Sequence, residues 1–184
     1  MSNQLAPKQI EQKQRDRNKA RFLQELGRNL QKVIRHLIEN KQLVALLYYE
    51  DIDPLSHLTD ENFPTFKEIY KNGDDGIVRI IPIIGTKENE QSILTLRVMK
   101  GLPSRGNSEF LDIYFAIEIF ISNKQWIIKG DNLRPYAIMG EIQKSLEGKI
   151  INGLGKISGS GFECNFFTEE ISAFLMQFAI TQYN

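Results

Sequence analysis

Hydrophobic positions change their period along this chain, and each change predicts an element. From Arg21 onward Phe22, Leu23, Leu26, Leu30, Val33, Ile34, Leu37 and Ile38 recur at spacings of three and four. That spacing places them on one stripe of a helix. The stripe lasts too few heptads for a coiled coil, so it is expected to pack on a sheet. Leu43–Tyr49 prolongs the apolar run until Asp51-Ile52-Asp53-Pro54-Leu55, where the proline demands a turn. Ser56–Asp75 reads as loop with a short helix around Phe63–Tyr70, and Asn72–Gly76 turns the chain into a sheet.

The period then becomes two. Ile77–Ile84 is short and β-branched, but Pro82 lacks a ladder donor, which makes it an edge, a bulge or a strand end. Ile93–Met99 alternates Leu94, Leu96 and Val98 against Thr95 and Arg97. Lys100–Glu109 reads as a polar connector. The clearest alternation runs over Leu111–Ile121: Leu111, Ile113, Phe115, Ile117, Ile119 and Ile121 share one face, opposite Asp112, Tyr114, Ala116, Glu118 and Phe120. A turn at Ser122–Gln125 leads to Trp126-Ile127-Ile128. Asp131 or Asn132 then offers an N-cap, Pro135 suits a first helical turn, and Ala137, Ile138, Ile142 and Leu146 carry a helical stripe to Gly148. Gly153–Gly161 is read as a reversing loop before a final strand, Ile171–Tyr183. The expected fold class is α+β: a mostly antiparallel or mixed sheet of four to five strands with two helices packed on one face. Residues 21–184 form this single domain. Residues 1–20, whose first eighteen have only Leu5, Ala6 and Ile10 apolar after the initial methionine, read as a flexible, polar basic tail.

Charge adds to this picture because it is segregated. Net charge is zero, yet residues 1–41 hold ten Lys and Arg against four acids, and the remainder carries the compensating excess of six acids. A basic leading segment on an acidic body suits either an acidic partner or nucleic acid. The absence of aromatics among these charges before Phe22 favours a solvated helix face over stacking with bases. No run of ~18 apolar residues occurs and the N-terminus is polar, so neither a membrane span nor a signal peptide is expected. Cys164 is the only cysteine, which excludes a disulfide within one chain; it reads as a small apolar strand residue.

Candidate chemistry is sparse. Gly153-Leu154-Gly155-Lys156-Ile157-Ser158-Gly159-Ser160-Gly161 is glycine-rich, but a helix precedes it and Ile157 follows Lys156, so it fails the phosphate-loop pattern. Lys156 is the one titratable residue there that an enzymatic reading has to use. His36 and His57 have no ligand at metal spacing and read as structural or surface residues. Asp51, Asp53, Asp60 and Glu61 read as solvated loop acids without the calcium-loop register. Neither a catalytic residue nor a cofactor or metal is expected.

The order of elements carries a resemblance. An amphipathic helix runs into Leu46-Leu47-Tyr48-Tyr49 and Asp53-Pro54-Leu55. A hairpin-rich sheet, the helix Leu133–Glu147, the Gly153-Leu154-Gly155 turn and a last strand ending Phe178-Ala179-Ile180-Thr181-Gln182-Tyr183 follow. This resembles the tail-terminator and neck proteins of tailed bacteriophages over about residues 22 to 183. The resemblance implies a virion protein assembled in the host cytoplasm, a non-enzymatic protomer of a ring, typically a hexamer, at the head–tail neck. Its implied partners are itself, the tail tube protein and the head connector or neck proteins, with DNA crossing the lumen unbound and no membrane. A head-completion or connector role and a nucleic-acid-binding module are the alternatives. Candidate intersubunit or lumen contacts are Lys100 and Arg105 in the connector, with Asp112 and Glu118 on an inner face. Lys13, Arg15, Arg17, Lys19 and Arg21 are the candidate contacts to a neighbouring ring or to DNA.

Overall fold

A computed structural model describes residues 25–70, 76–80, 92–104, 110–151, 154–166 and 168–183. Arg105 and the five basic residues Lys13 to Arg21 lie outside the described residues, as do Phe22, Leu23 and the Ile81–Ile84 part of the first expected strand. Helix α1 covers 25–38 and buries Leu30, Val33, Ile34 and Leu37, the stripe its spacing predicts. The apolar run does not continue as one element. Asn40 adopts extended φ/ψ, and its side-chain oxygen accepts from the backbone N–H groups of Gln42 (3.0 Å) and Leu43 (3.2 Å), starting a second helix, α2, Lys41–Tyr48. Asparagine is a strong N-cap because it satisfies donors that a helix start leaves orphaned. A 3₁₀ turn at Pro54–Thr59 and a short α3, Phe66–Ile69, follow, and α3 opens with a Thr65/Glu68 capping box.

The strands are β1 (Val78–Arg79), β2 (Ile93–Pro103), β3 (Phe110–Ser122), β4 (Ile127–Ile128), β5 (Asn132–Leu133), β6 (Ile157–Phe166) and β7 (Ile171–Tyr183). Five of them form one mixed sheet in the order β1-β2-β3-β7-β6, with β1 parallel to β2 and every other pair antiparallel. β4 and β5 make a separate ribbon that leads into α4, Arg134–Leu146. The fold is α+β, as expected, with more helices than the expected two.

Alternation on β3 decides which side of the sheet is core. Phe115, Ile117, Ile119 and Ile121 join Leu94 and Leu96 of β2 and Phe174, Met176, Phe178 and Ile180 of β7 in one hydrophobic cluster with α1, α2 and α4. Phe115 and Phe178 are direct cross-strand partners whose rings stack 5.5 Å apart. Pairs of this kind register the two long central strands.

Three expectations are corrected. Lys100 to Pro103 is not connector but strand: these residues pair with Tyr114 to Leu111, after a bulge between Val98 and Lys100. β6 replaces much of the expected Gly153–Gly161 loop, because the strand is carried by pairing with β7 rather than by its own glycine-rich propensity. The N-cap position of α4 is Leu133, not Asp131 or Asn132, and it has no side-chain cap hydrogen bond. Asn132 instead accepts from the Leu133 N–H (2.8 Å), and Asp131 occupies a left-handed turn at φ 57°.

Gly155 marks the closest approach of the turn to the sheet: a Cβ there would lie 1.9 Å from the carbonyl oxygen of Thr181. Gly155→Ala is therefore expected to destabilise the fold by at least about 1–3 kcal/mol, the usual cost of overpacking. Chemical denaturation measures it, and an unchanged midpoint would show that the turn has room.

Candidate functional site

Among the described residues the helices cover one face of the sheet, and the other is formed by β2, β3 and β7 side chains. On that open face Glu118 accepts from Arg97 through Nε (3.0 Å) and Nη2 (2.8 Å), and from the Thr95 hydroxyl (3.3 Å). Asp112 accepts from the Thr181 hydroxyl across the β3–β7 pair (2.7 Å). Lys100 places its ammonium 4.7 Å from the ring centre of Tyr114, within the range of a cation–π contact. Period-two alternation is the cause: Asp112, Tyr114 and Glu118 all oppose the core side of β3. Three sequence-selected residues, Lys100, Asp112 and Glu118, thus stand on one surface, each engaged with a neighbour on its own or an adjacent strand.

A second cluster was missed. Asp51, Asp53 and Asp60 are not merely solvated acids. His57 Nε2 lies 2.7 Å from Asp51 Oδ2 and Nδ1 lies 2.7 Å from Asp60 Oδ2, while the imidazole stacks on Tyr49 at 4.0 Å between ring centres. Lys129 reaches Asp53 (2.6 Å) and its backbone N–H donates to Ile52 O (2.6 Å), tying this loop to the turn after β4. A neutral imidazole donates from one nitrogen only, so engaging both carboxylates as acceptors calls for the imidazolium. The hydrogen bonds that His57 donates to Asp60 and then to Asp51 hold its pKa above the ordinary value. Each ring nitrogen faces a carboxylate, and the neighbouring Ser56 hydroxyl donates to Asp53 O (2.7 Å), so His57 does not activate Ser56. The sequence signal was the pair of aspartates six before and three after the histidine.

Above this loop sits Arg134, 1% exposed. Its Nε donates to Gln125 O (3.0 Å), Nη1 to Leu46 O (2.9 Å) and Tyr49 O, and Nη2 to Glu50 O (3.3 Å) and Asp51 O. All five guanidinium donors are used. Burial pushes its pKa down, opposed by Asp51 and Glu50. Leu46 and Tyr49 are carbonyls at the end of α2, where a cation also suits the helix dipole. His36 is structural in the same way: Nε2 meets the Ser145 carbonyl (3.0 Å), beside Asn40, which donates to Glu141 (2.8 Å) and to the Ser145 hydroxyl (2.9 Å).

Between α4 and β6 lies a groove of about 410 Å³ lined by Tyr136, Met139, Gln143, Gly159, Phe162 and Met176. Lys156, just before β6 and bridged to Ile150, and Cys164, on β6, are both exposed and lie outside that lining. Among the described residues no three His, Cys, Asp or Glu are grouped to hold a metal ion, and no helix is long and apolar enough to cross a membrane.

With this geometry in place, the comparisons give one relation. A model of the YomW family matches residues 40–170, and the chain belongs to that family, whose name points to a phage-derived protein. No curated protein matches the chain.

Two outcomes test these clusters. Arg134→Met leaves five inward carbonyls without their donor and is expected to cost about 3–5 kcal/mol by denaturant unfolding. Arg134→Lys, with three donors and no planar fork, recovers only part. For His57 the sign follows from its raised pKa. Its contribution is present in full below about 6.5, the unfolded value, and is lost as pH rises through the higher folded value. Melting temperature of the wild type is therefore expected to fall relative to His57→Gln as pH rises from about 6 to 9. Parallel curves would remove the imidazolium from the loop's stability.

Proposed function

We propose that this chain is a structural protein of a tailed phage that forms a ring at the head–tail neck, caps the tail tube and joins it to the head connector. Membership of the YomW family supports the phage origin. The observation that carries the structural role is the open sheet face. Its two β3 carboxylates are engaged within the protomer, Glu118 by Arg97 and Asp112 by the Thr181 hydroxyl, and the Lys100 ammonium lies over the Tyr114 ring, so it presents a partly exposed polar surface with little unmet demand for a ligand. Such a face suits a lumen wall that DNA passes without adhering, since phosphate binding draws on clustered Lys and Arg that displace the counterions condensed on the nucleic acid. In this reading the protein works by shape and self-association, and its partners are further copies, the tube protein and the connector.

Native mass spectrometry with negative-stain microscopy across a wide concentration range is the test. The expected result is a closed ring of one stoichiometry with a central hole, and added tube protein should stop growing where the ring binds. A strict monomer at every concentration, with DNA affinity that falls steeply with salt, would replace this reading by nucleic-acid binding through the basic leading segment.

A further inference from the structure

The two ends of the sheet are open over different stretches. At one end, the first half of β6 is already bordered by the chain itself. Gly148 N–H donates to Ile157 O (2.9 Å), Ile157 N–H to Lys149 O (2.9 Å), and Gly159 N–H to Glu147 Oε2 (2.6 Å). From Gly161 onward no described residue pairs with the outer side of β6. At the other end β1 covers only Leu94 and Thr95 of β2, and from Leu96 onward the outer side of β2 meets no described strand. Unpaired strand edges are templates for another strand. Here both carry exposed apolar side chains: Phe162 on β6, 61% exposed, and Met99 and Leu102 on β2, 40% and 45% exposed.

The edges complement each other. β2, β3, β7 and β6 alternate in direction, so β6 runs opposite to β2, and a second copy set beside the first in the same orientation brings them together antiparallel. Hydrogen-bond phase fixes the register. Ile157, on the core face, directs its N–H and C=O away from β7, and Phe162 shares that face, since their β7 partners Ile180 and Met176 are both core residues. On β2 the core-face residue Leu94 donates outward to Ile77 O (2.8 Å), and Gly101, opposite core-face Ile113, has the same phase. Pairing Phe162 with Gly101 lets both exchange N–H···O bonds. It also leaves the Phe162 ring, which meets no side chain from Gly101, free to lie in the groove beside Tyr136 and Met139. The same register sets Glu163 against Lys100 on the open face, both exposed. Pairing β6 with itself about Phe162 uses neither Lys100 nor Leu102.

We propose that a second copy of this chain docks its β2 edge at Lys100–Leu102 against the β6 edge at Gly161–Cys164, continuing the sheet head to tail from protomer to protomer. The inference rests on the ring reading above and names the contact that closes the ring. It is heterologous, so its repetition makes a ring when the rotation closes.

A charge exchange tests it on the full-length chain, with far-UV circular dichroism confirming the fold of each variant. Lys100→Glu sets like charges across the junction, and so does Glu163→Lys. Each alone is expected to raise the concentration at which rings dissociate by at least about tenfold. A one-to-one mixture of the two singles restores opposite charges at every junction, and so does the double variant Lys100→Glu/Glu163→Lys; both are expected to reassemble. Folded single variants that assemble like the wild type overturn the edge contact and leave the ring reading standing. Loss of assembly in Glu163→Lys alone, unrescued by mixing, overturns the pairing with Lys100. A wild-type chain that stays monomeric at every concentration overturns both readings.

Discussion

The end of α2, the loop after it and the turn before β4 meet at Arg134. One buried guanidinium donates to carbonyls from all three. Its own backbone N–H donates to Trp126 O (2.7 Å) at the start of α4. Removing such a cation from water costs several kcal/mol. Hydrogen bonds to a charged donor contribute about 1.5–3 kcal/mol each, so five of them can offset the cost where one or two would not. The carbonyls need Arg134 as much as it needs them, because the last acceptors of a helix have no partner within it. A leucine of similar volume would fill the space and leave those acceptors orphaned.

That junction also explains the outer loop. With Tyr49, Glu50 and Asp51 drawn toward Arg134 by their carbonyls, the Asp51 side chain is left facing outward beside His57. Asp53 in turn meets Lys129 on the other side. The acidic cluster is thus a product of the buried cation: its backbone is tethered inward, and its carboxylates recruit the nearest bases at the surface. Tyr49 belongs to both layers, its carbonyl bound to Arg134 and its ring stacked on His57.

How much of this the sequence displays depends on range. β3 is legible because its pattern is local and strict, with Leu111–Ile121 alternating between a core face and a more polar, partly exposed one. The stripe of α1 is legible for the same reason. β6 is not, since Ser158, Gly159, Ser160 and Gly161 have weak strand propensity and are held by β7, the last strand to arrive. The helix break at Asn40 is hidden inside an apolar run, although its capping asparagine was in plain view. Lys100 to Pro103 looked like loop by composition, yet a bulge lets the strand continue past Val98. Arg134 carries no local signature, because an arginine before a helix proline is unremarkable until five distant carbonyls converge on it. Of the candidate surface, Asp112 and Glu118 followed from alternation alone; their partners Thr181 and Arg97 required the register.

The two bulges have a common consequence. In β2 the extra residue falls at Met99, within the stretch whose outer side meets no described strand, and in β6 at Ser160, just before its outer side becomes free of described partners. Bulges bend a strand and raise its local twist, and they are common devices for ending or redirecting pairing at sheet edges. The β6 bulge separates a stretch bordered by Gly148, Lys149 and Glu147 from one that meets no described residue, while β1 borders β2 at Leu94 and Thr95, ahead of its bulge. The sheet therefore leaves different sequences open at its two ends, one bearing Lys100 and the other Glu163. Unlike ends on one protomer favour directional contacts over two-fold ones. In the ring proposed above, these unlike ends are what would let one copy follow another sideways, with the helical layer of each kept on the same face.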